Sequence, residues 1–438
     1  MRIKRLTSDE FESFTKTFPI KSIYQTKQYG SVMDKHGYTS MYIGLVEEEI
    51  IAACLILIKK ESGFKYGYIP RGFLIDYNDF YLVEKFTKLI KEYLFKENVI
   101  AVKVNPLILR NIYDFKTQKI TRNPNYDNIY NSLVKNSYTH LGYNNFFEAL
   151  KPRFEAIIDL SKPLNYLFYN IKKEYRTKIR SSIECGIKVY KGDESSLEHL
   201  YKFTKNKYEK NLDYFKNCYN EFNKNDMIDI YYTNLDTNKY LEYIQKKLVY
   251  YEQQSNDLNM KIFKYPNKNQ KYINKKINID KLLDKYKNDL IIATKLLREH
   301  PNNLITSCVL TIKQDKNVTI LIDGYDEAYK SLNSKHLLIW ELIRVYQSQG
   351  FTKFNLGGMS NVTIDSNKYI GLNKFKLNFD AKMYEYIGDF ELVTNKKNYN
   401  MYRNYVPLKN LIKSKLVKNT KKWIESDSFL LYLAYIFK

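Results

Sequence analysis

The sequence is poor in the groups that mark the common metal and nucleophile chemistries. It has four cysteines in 438 residues. Cys54, Cys185, Cys218 and Cys308 lie far apart and form no C-x-x-C pair, which argues for free thiols in a reducing compartment and against a disulfide framework. The five histidines form no H-x-x-x-H or H-E-x-x-H pair, so neither a zinc site nor any other metal is expected. No G-x-x-x-x-G-K-[ST] occurs, no G-x-G-x-x-G follows a strand, and no G-x-S-x-G elbow is present. Nucleotide hydrolysis, Rossmann redox chemistry and elbow-type hydrolysis lose their sequence support, and no cofactor is called for. No glycine-rich loop opens a helix after either set of predicted strands, which weakens an acyl-CoA-type N-acyltransferase. There is no Pro-rich or Gly/Ser-rich linker. The first ten residues lack the apolar core of a signal peptide, and the longest early apolar run, 50–58, is too short to span a bilayer. The expectation is a cytoplasmic protein that is not integral to a membrane.

What the chain does have is length, apolar content and positive charge. At 438 residues it can hold two or three domains with real cores, and 44% apolar content marks it as folded. Lys+Arg exceed Asp+Glu by 71 − 48 = 23. That excess favours a polyanionic partner: nucleic acid, an anionic membrane surface or a phosphorylated substrate. The competing explanation is coding bias, since Lys, Asn, Ile and Tyr crowd the chain together as AT-rich codons would make them.

Apolar residues recur in steps of three and four at Leu241, Ile244, Leu248, Tyr251, Ser255, Leu258 and Ile262, and again at Ile279, Leu283, Tyr286, Leu290, Ala293 and Leu297. A 3.5-residue period puts each set on one helical seam. Pro266 breaks the pattern, so the two seams can turn back on each other as an antiparallel coiled-coil hairpin with arms of roughly 30 Å. Residues 241–300 carry 13 Lys/Arg against 7 Asp/Glu.

The flanking sequence reads as α/β. A capping box at Thr7-Ser8-Asp9-Glu10 starts a helix. Apolar runs at 41–46, 50–58, 99–104 and 154–160 read as strands, with a helix at 80–95 and a basic helix at 162–186 that ends on Gly186. Beyond the hairpin come strands at 304–312 and 318–322, a helix at 334–349, a strand at 351–356 and the Gly357-Gly358 turn. The order of strands, helix and strand appears twice, which predicts two related α/β units of mixed sheet, the second split by the hairpin.

Several segments together carry a resemblance. They are Tyr24-Gln25-Thr26, Pro70-Arg71-Gly72-Phe73-Leu74-Ile75-Asp76 and Tyr175-Arg176-Thr177-Lys178-Ile179-Arg180. Beyond the hairpin they are Phe354-Asn355-Leu356-Gly357-Gly358, Gly371-Leu372-Asn373-Lys374-Phe375-Lys376 and Tyr386-Ile387-Gly388-Asp389-Phe390. In order and spacing over roughly 395 residues the chain resembles the Fem family of peptidoglycan aminoacyltransferases, in the subset with a coiled-coil arm. The resemblance implies two tandem acetyltransferase-like (GNAT) domains with an antiparallel coiled-coil hairpin inserted in the second. The expected limits are 1–152 for the first domain, 153–240 with 301–400 for the second, 241–300 for the arm and 401–438 for a C-terminal tail. It also implies transfer of an amino acid from aminoacyl-tRNA to the stem peptide of a lipid-linked or nucleotide-linked precursor. Two alternatives are an acyl-CoA-type N-acyltransferase on the same fold and a non-catalytic protein that binds tRNA or membrane.

Site residues follow from the matching positions. Lys376, in the Phe-Lys motif, is implied to stabilise the oxyanion of acyl transfer; the bland alternative is a lysine snorkelling from a strand edge. Asp389, where the family often has Glu, would accept or orient a proton of the attacking amine; otherwise it is a turn residue bonded to its own backbone. Asn105-Pro106 replaces the usual Asp-Pro, which argues against a base there. For the precursor's pyrophosphate the family places a lysine where this chain has Met33, so Lys35 is the substitute, and an Arg four residues before a Tyr, here Lys210 and Tyr214. Arg71 is either a ligand contact or a guanidinium bonding loop carbonyls. Lys172, Lys173, Arg176, Lys178 and Arg180 form either a solvated helix face or a surface for tRNA phosphates. In the tail Lys409, Lys413, Lys415, Lys418, Lys421 and Lys422 precede Trp423, and residues 429–437 are almost wholly apolar. That is the pattern of a peripheral membrane segment or of a helix docked on the body.

Overall fold

The computed structural model describes residues 1–149, 151–207, 209–363 and 368–405. The basic and apolar tail lies outside the described residues. In chain order the strands are β1 (Arg2–Arg5), β2 (Thr39–Val46), β3 (Ile50–Glu61), β4 (Phe64–Pro70), β5 (Val99–Asn105), β6 (Leu109–Asp114), β7 (Lys119–Arg122), β8 (Tyr138–His140), β9 (Phe154–Asp159), β10 (Ile187–Lys191), β11 (Ile228–Leu235), β12 (Leu304–Gln314), β13 (Asn317–Tyr325), β14 (Lys353–Met359), β15 (Lys382–Tyr386) and β16 (Phe390–Val393). They form two mixed sheets. The first runs β1-β2-β3-β4-β5-β16-β8 and the second β10-β11-β12-β13-β14-β9-β15-β6-β7.

Each sheet repeats one plan. Four strands meander antiparallel, then a helix carries the chain to a parallel neighbour: β4 to β5 through the helix Phe80–Lys96, and β13 to β14 through the helix Ser334–Ser348. The two sheets exchange strands in both directions. The late strand β16 fills the gap between β5 and β8 of the first sheet, while β6 and β7 extend the second sheet through β15.

Burial on both faces explains the unbroken apolar run of β3. Cys54, Ile56 and Ile58 face the first unit's own core. Ala53, Leu55 and Leu57 face a second cluster with Phe215, Phe222, Cys308 and Leu310 of the other unit. A sheet buried on both sides needs no polar alternation. Each fully buried leucine here contributes about 1.5–3 kcal/mol, so this shared layer binds the two units into one body.

The hairpin is longer than its seam suggested. Its helices, Thr237–Lys264 and Asn269–Glu299, have 28 and 31 residues, or about 42 and 46 Å at 1.5 Å per residue. They turn at Tyr265 and a 3-10 segment, Pro266–Lys268. Antiparallel register is set by the Tyr251 and Tyr286 rings, stacked 5.3 Å apart, and by Ser255 Oγ donating to Asp280 Oδ1 at 2.7 Å. The root of the arm is anchored by Tyr240, Ile244, Ala293 and Leu296, which belong to the second unit's core. Replacing Tyr251 by alanine removes a stacking term of about 1 kcal/mol beyond area burial. Hydrogen exchange should therefore quicken in both arm helices and stay unchanged in the sheets; unchanged arm protection would contradict this packing.

Candidate functional site

Parallel pairing separates the two units. In the first, β4 and β5 stay paired from Lys65 opposite Val99 to Pro70 opposite Asn105, in one register from Tyr66 opposite Ala101 onward. In the second, β13 and β14 pair only at Asn317–Lys353, Val318–Phe354 and Thr319–Asn355, and then diverge. The wedge that opens is where Gly357 and Gly358 lie. Gly357 has φ +82°, a conformation glycine takes without a steric cost, and its N–H is held by Asn355 Oδ1 at 2.8 Å.

Lys376 reaches this wedge from the helix Ile370–Leu377, not from a strand edge. Phe375, the residue before it, packs with Tyr175 and Phe379. The Lys376 amine donates to the Gly358 carbonyl at 2.7 Å, and only 7% of the residue is exposed. A Cβ at residue 357 would lie 3.6 Å from the amine, an ordinary contact, so it is the positive φ and not the space that calls for glycine here. Burial pushes the Lys376 ammonium down to about 8, against the pull of Asp323 and with the help of Lys335. Asp323, on β13, sits 2.7 Å from Lys335. Burial would raise its carboxyl, but Lys335 and then Lys376 outweigh this and hold it below the usual range. Two ammonium groups thus act on one half-buried carboxylate, Lys335 by direct pairing and Lys376 at longer range.

Below the wedge lies a second buried charge pair. Asn355 donates through Nδ2 to Glu155 Oε2 at 2.8 Å, and Tyr386 donates to the same oxygen at 3.1 Å. The other carboxylate oxygen takes Arg71 Nη2 at 2.6 Å. Arg71 is 1% exposed, stacks 4.5 Å from the Tyr386 ring centroid and also donates to the Pro152 carbonyl at 2.8 Å. Of the two readings of Arg71, the carbonyl contact is therefore present. Arg71, Glu155 and Asn355 line a cavity of about 350 Å³ with Tyr24, Tyr384 and Tyr386. One continuous chain of contacts runs from Arg71 in the first unit through Glu155 and Asn355 to Gly357 beside Lys376.

Asp389 lies between the sheets, in the link from β15 to β16. It is 2% exposed and does not bond its own turn. Its partners are the Asn105 amide, which donates to Oδ1, and the Lys103 amine, 3.0 Å from Oδ2. Among the described residues no hydrogen bond or ion pair joins Asp389 to Lys376. Lys35 and Tyr214 come together where the helix Lys27–Asp34 meets the helix Leu212–Asn223: Lys35 lies 2.7 Å from Glu221, and His36 packs on Tyr214 at 5.1 Å. Lys210 precedes that helix, whose N-cap is Asn211, so it is not a helical neighbour of Tyr214; its amine folds back to 4.7 Å from the Tyr214 ring centroid.

The basic segment is two helices, Leu164–Asn170 and Lys173–Glu184, broken at extended Ile171. Lys172 caps the second, and its N–H donates to the Asn378 carbonyl at 2.9 Å, which ties this basic stretch to the helix that carries Lys376. Lys172, Lys173 and Arg180 are exposed, while Lys178 pairs with Glu174 at 2.6 Å and Arg176 donates to the Tyr169 carbonyl at 2.9 Å. No cluster of three metal-ligating side chains occurs among the described residues. No helix among them is long and apolar enough to cross a membrane.

Sequence reading missed Glu155, Asp323 and Lys335. A signal existed for the first two. Each is an acid set within an apolar stretch of its strand, Phe-Glu-Ala-Ile-Ile and Leu-Ile-Asp-Gly. An ionised side chain is buried there only if paired.

Two mixed sheets of one plan, one zipped and one splayed over a buried lysine, define a tandem α/β protein. The chain belongs to the FemAB family, which matches residues 6–405. It is 27% identical over 420 residues to an aminoacyltransferase FemA of Staphylococcus epidermidis strain ATCC 35984, covering 93% of this chain and all of that one. It is 25% identical over 415 residues to an aminoacyltransferase FemA of Staphylococcus aureus strain MRSA252, covering 92% and 97%. A solved structure, the crystal structure of FemX, superposes with a TM-score of 0.69 at 19% identity, covering 92% of this chain and 99% of that one. The chain is accordingly an enzyme of the aminoacyltransferase class.

Proposed function

We propose that this protein moves an amino acid from aminoacyl-tRNA to an amine of the stem peptide of a peptidoglycan precursor, extending an interpeptide bridge. The observation that carries the reading is the buried Lys376 amine at the open wedge of the second unit. The acceptor nitrogen attacks the ester carbonyl of the aminoacyl-tRNA. A C–N bond forms, and the carbonyl oxygen becomes an oxyanion that the Lys376 ammonium stabilises. The C–O bond to the terminal ribose then breaks, and the proton lost by the attacking nitrogen passes to the leaving ribose oxygen. Asp389 orients the attacking amine, with Lys103 and Asn105 holding its carboxylate. Holding two large substrates in line supplies much of the rate.

The basic stretch from Lys172 supports a tRNA backbone surface beside Lys376, and its salt dependence should be steep. The precursor's anionic end is assigned to the junction of helices Lys27–Asp34 and Leu212–Asn223, beside Lys35 at its pair with Glu221 and Lys210 on the Tyr214 ring. A cytoplasmic enzyme with peripheral contact at the inner membrane face fits a lipid-linked acceptor. The chain entering the crossover helix, Tyr325 to Asn333, has no glycine, which disfavours an acyl-CoA donor. The test is purified protein with charged tRNAs and a nucleotide-linked or lipid-linked precursor, read by mass spectrometry. Incorporation is expected for at least one tRNA; none with any charge, or transfer from acyl-CoA alone, would overturn the reading.

Asp323 offers a second test. Its carboxylate stabilises the protonated form of Lys376. Asp323→Asn removes that support and leaves Lys335 to repel, so the Lys376 proton is lost at lower pH. The alkaline limb of kcat should move at least about one pH unit lower. An unmoved limb would detach Asp323 from Lys376.

A further inference from the structure

The arm ends in apolar side chains that its own seam does not use. Leu258 is buried and Ile262 half-buried on the seam, but Phe263 is 91% exposed and Met260 64%. Tyr265 at the turn and Ile277 on the returning helix are exposed as well. Met260 and Phe263, three residues apart, are neighbours on one helix face. The register that stacks Tyr251 on Tyr286 puts Ile277 level with Met260 across the hairpin. From Met260 to the turn the helix rises only about 8 Å, so all four side chains sit at the end of the arm.

Positive charge gathers at the same place. Residues 258–279 hold six lysines and no Asp or Glu. Lys261, Lys264, Lys271 and Lys275 are exposed, and among the described residues this stretch forms a single ion pair, Lys276 with Asp280. Apolar side chains scattered on a surface need no explanation, but a cluster of them set among unmatched cations marks a contact. An RNA backbone would be met by the cations alone. A bilayer interface uses both: it takes apolar side chains to a depth of about 5–10 Å, and its anionic headgroups hold the lysines. That depth matches the last turn and a half of the arm.

We propose that the tip of the arm is a membrane-contact site, where Met260, Phe263, Tyr265 and Ile277 enter the interface of an anionic bilayer and the four exposed lysines beside them bind its headgroups. The site rests on the chemistry of the arm and not on the proposed function. With that function, the arm ties the enzyme to the surface that carries a lipid-linked acceptor. The basic-then-apolar sequence of the tail is a separate candidate for the same surface, and the experiment tells the two apart.

The four native cysteines are buried, so Asn267→Cys, exposed at the turn, places one polarity-sensitive maleimide dye at the tip of the full chain. Vesicles of phosphatidylcholine with about a third phosphatidylglycerol should blue-shift the dye and shield it from iodide, and phosphatidylcholine alone should do so about tenfold or more less tightly. In this background Phe263→Ser should weaken binding about tenfold or more, and Lys261→Gln/Lys264→Gln by a similar factor that salt erases. A dye that stays in water, whether or not the chain sediments with the vesicles, overturns the site, as does a Phe263→Ser protein that binds as its parent does. A dye that responds to tRNA and not to vesicles makes the tip an RNA contact and overturns it equally. In the transfer assay Phe263→Ser should raise KM for a lipid-linked precursor in vesicles and leave KM for a nucleotide-linked one unchanged. Tip insertion without transfer to any precursor would leave the site standing and remove the proposed function.

Discussion

Lys376→Met should lower kcat by about 10²–10³-fold while leaving both KM values near those of the wild type, as expected for loss of one oxyanion donor worth roughly 3–4 kcal/mol. Methionine keeps the unbranched stem that the helix Ile370–Leu377 projects toward Gly358, and it removes only the charge and the donor. The pH profile separates this role from a structural one. The wild-type amine, pushed down to about 8, is mostly protonated at neutral pH. As pH rises through about 8 it loses the proton that makes it a cation, so kcat should fall on that side. Lys376→Met has no proton to lose there, and its residual rate should show no such limb. Full activity in Lys376→Met would remove this lysine from the chemistry, whatever the fate of the wider functional reading.

The parts of the fold legible in the sequence are those set by local periodicity. The seam from Leu241 to Ile262 is buried or half-buried at every position, because a heptad pattern needs only one partner and the hairpin supplies it. The run at 50–58 could be read as a strand for a similar reason, since both its faces are covered. Partner choice was not legible. Phe390–Val393 is not read as a strand from sequence, and nothing in its four residues says that it returns to β5 and β8 of the first sheet. The break between Asn170 and Lys173 has no proline or glycine to mark it; Ile171 takes extended geometry to bury its side chain in the second unit's core. The site divides along the same line. Lys376 was found through its Phe-Lys motif, and Asp389 through Gly388. Their surroundings came from tertiary packing, because Asp323 and Glu155 come from strands β13 and β9 and Lys335 from the helix Ser334–Ser348, all remote in sequence from Lys376 and Asp389.

Glu155 is where that packing should cost most to disturb. Glu155→Gln keeps the shape of the side chain and can still accept from Asn355 and Tyr386. What it removes is the charge facing Arg71, a guanidinium that is 1% exposed and therefore cannot turn to water. Breaking a buried pair from one side typically costs about 3–5 kcal/mol, more than keeping the pair intact contributes. Urea unfolding of Glu155→Gln should show a loss of that size. The double variant Arg71→Met/Glu155→Gln should recover part of it, because no uncompensated charge remains buried. The consequence for catalysis follows from position. Glu155 holds the Asn355 amide, and Asn355 holds the Gly357 N–H that shapes the wedge under Lys376. Loss of stability should therefore come with a lower kcat, even though neither Glu155 nor Arg71 contacts the Lys376 amine directly. A Glu155→Gln enzyme less than about 1 kcal/mol below wild type would mean that Arg71 finds another counter-charge or a water path, and that the bridge between the two units is not what braces the wedge.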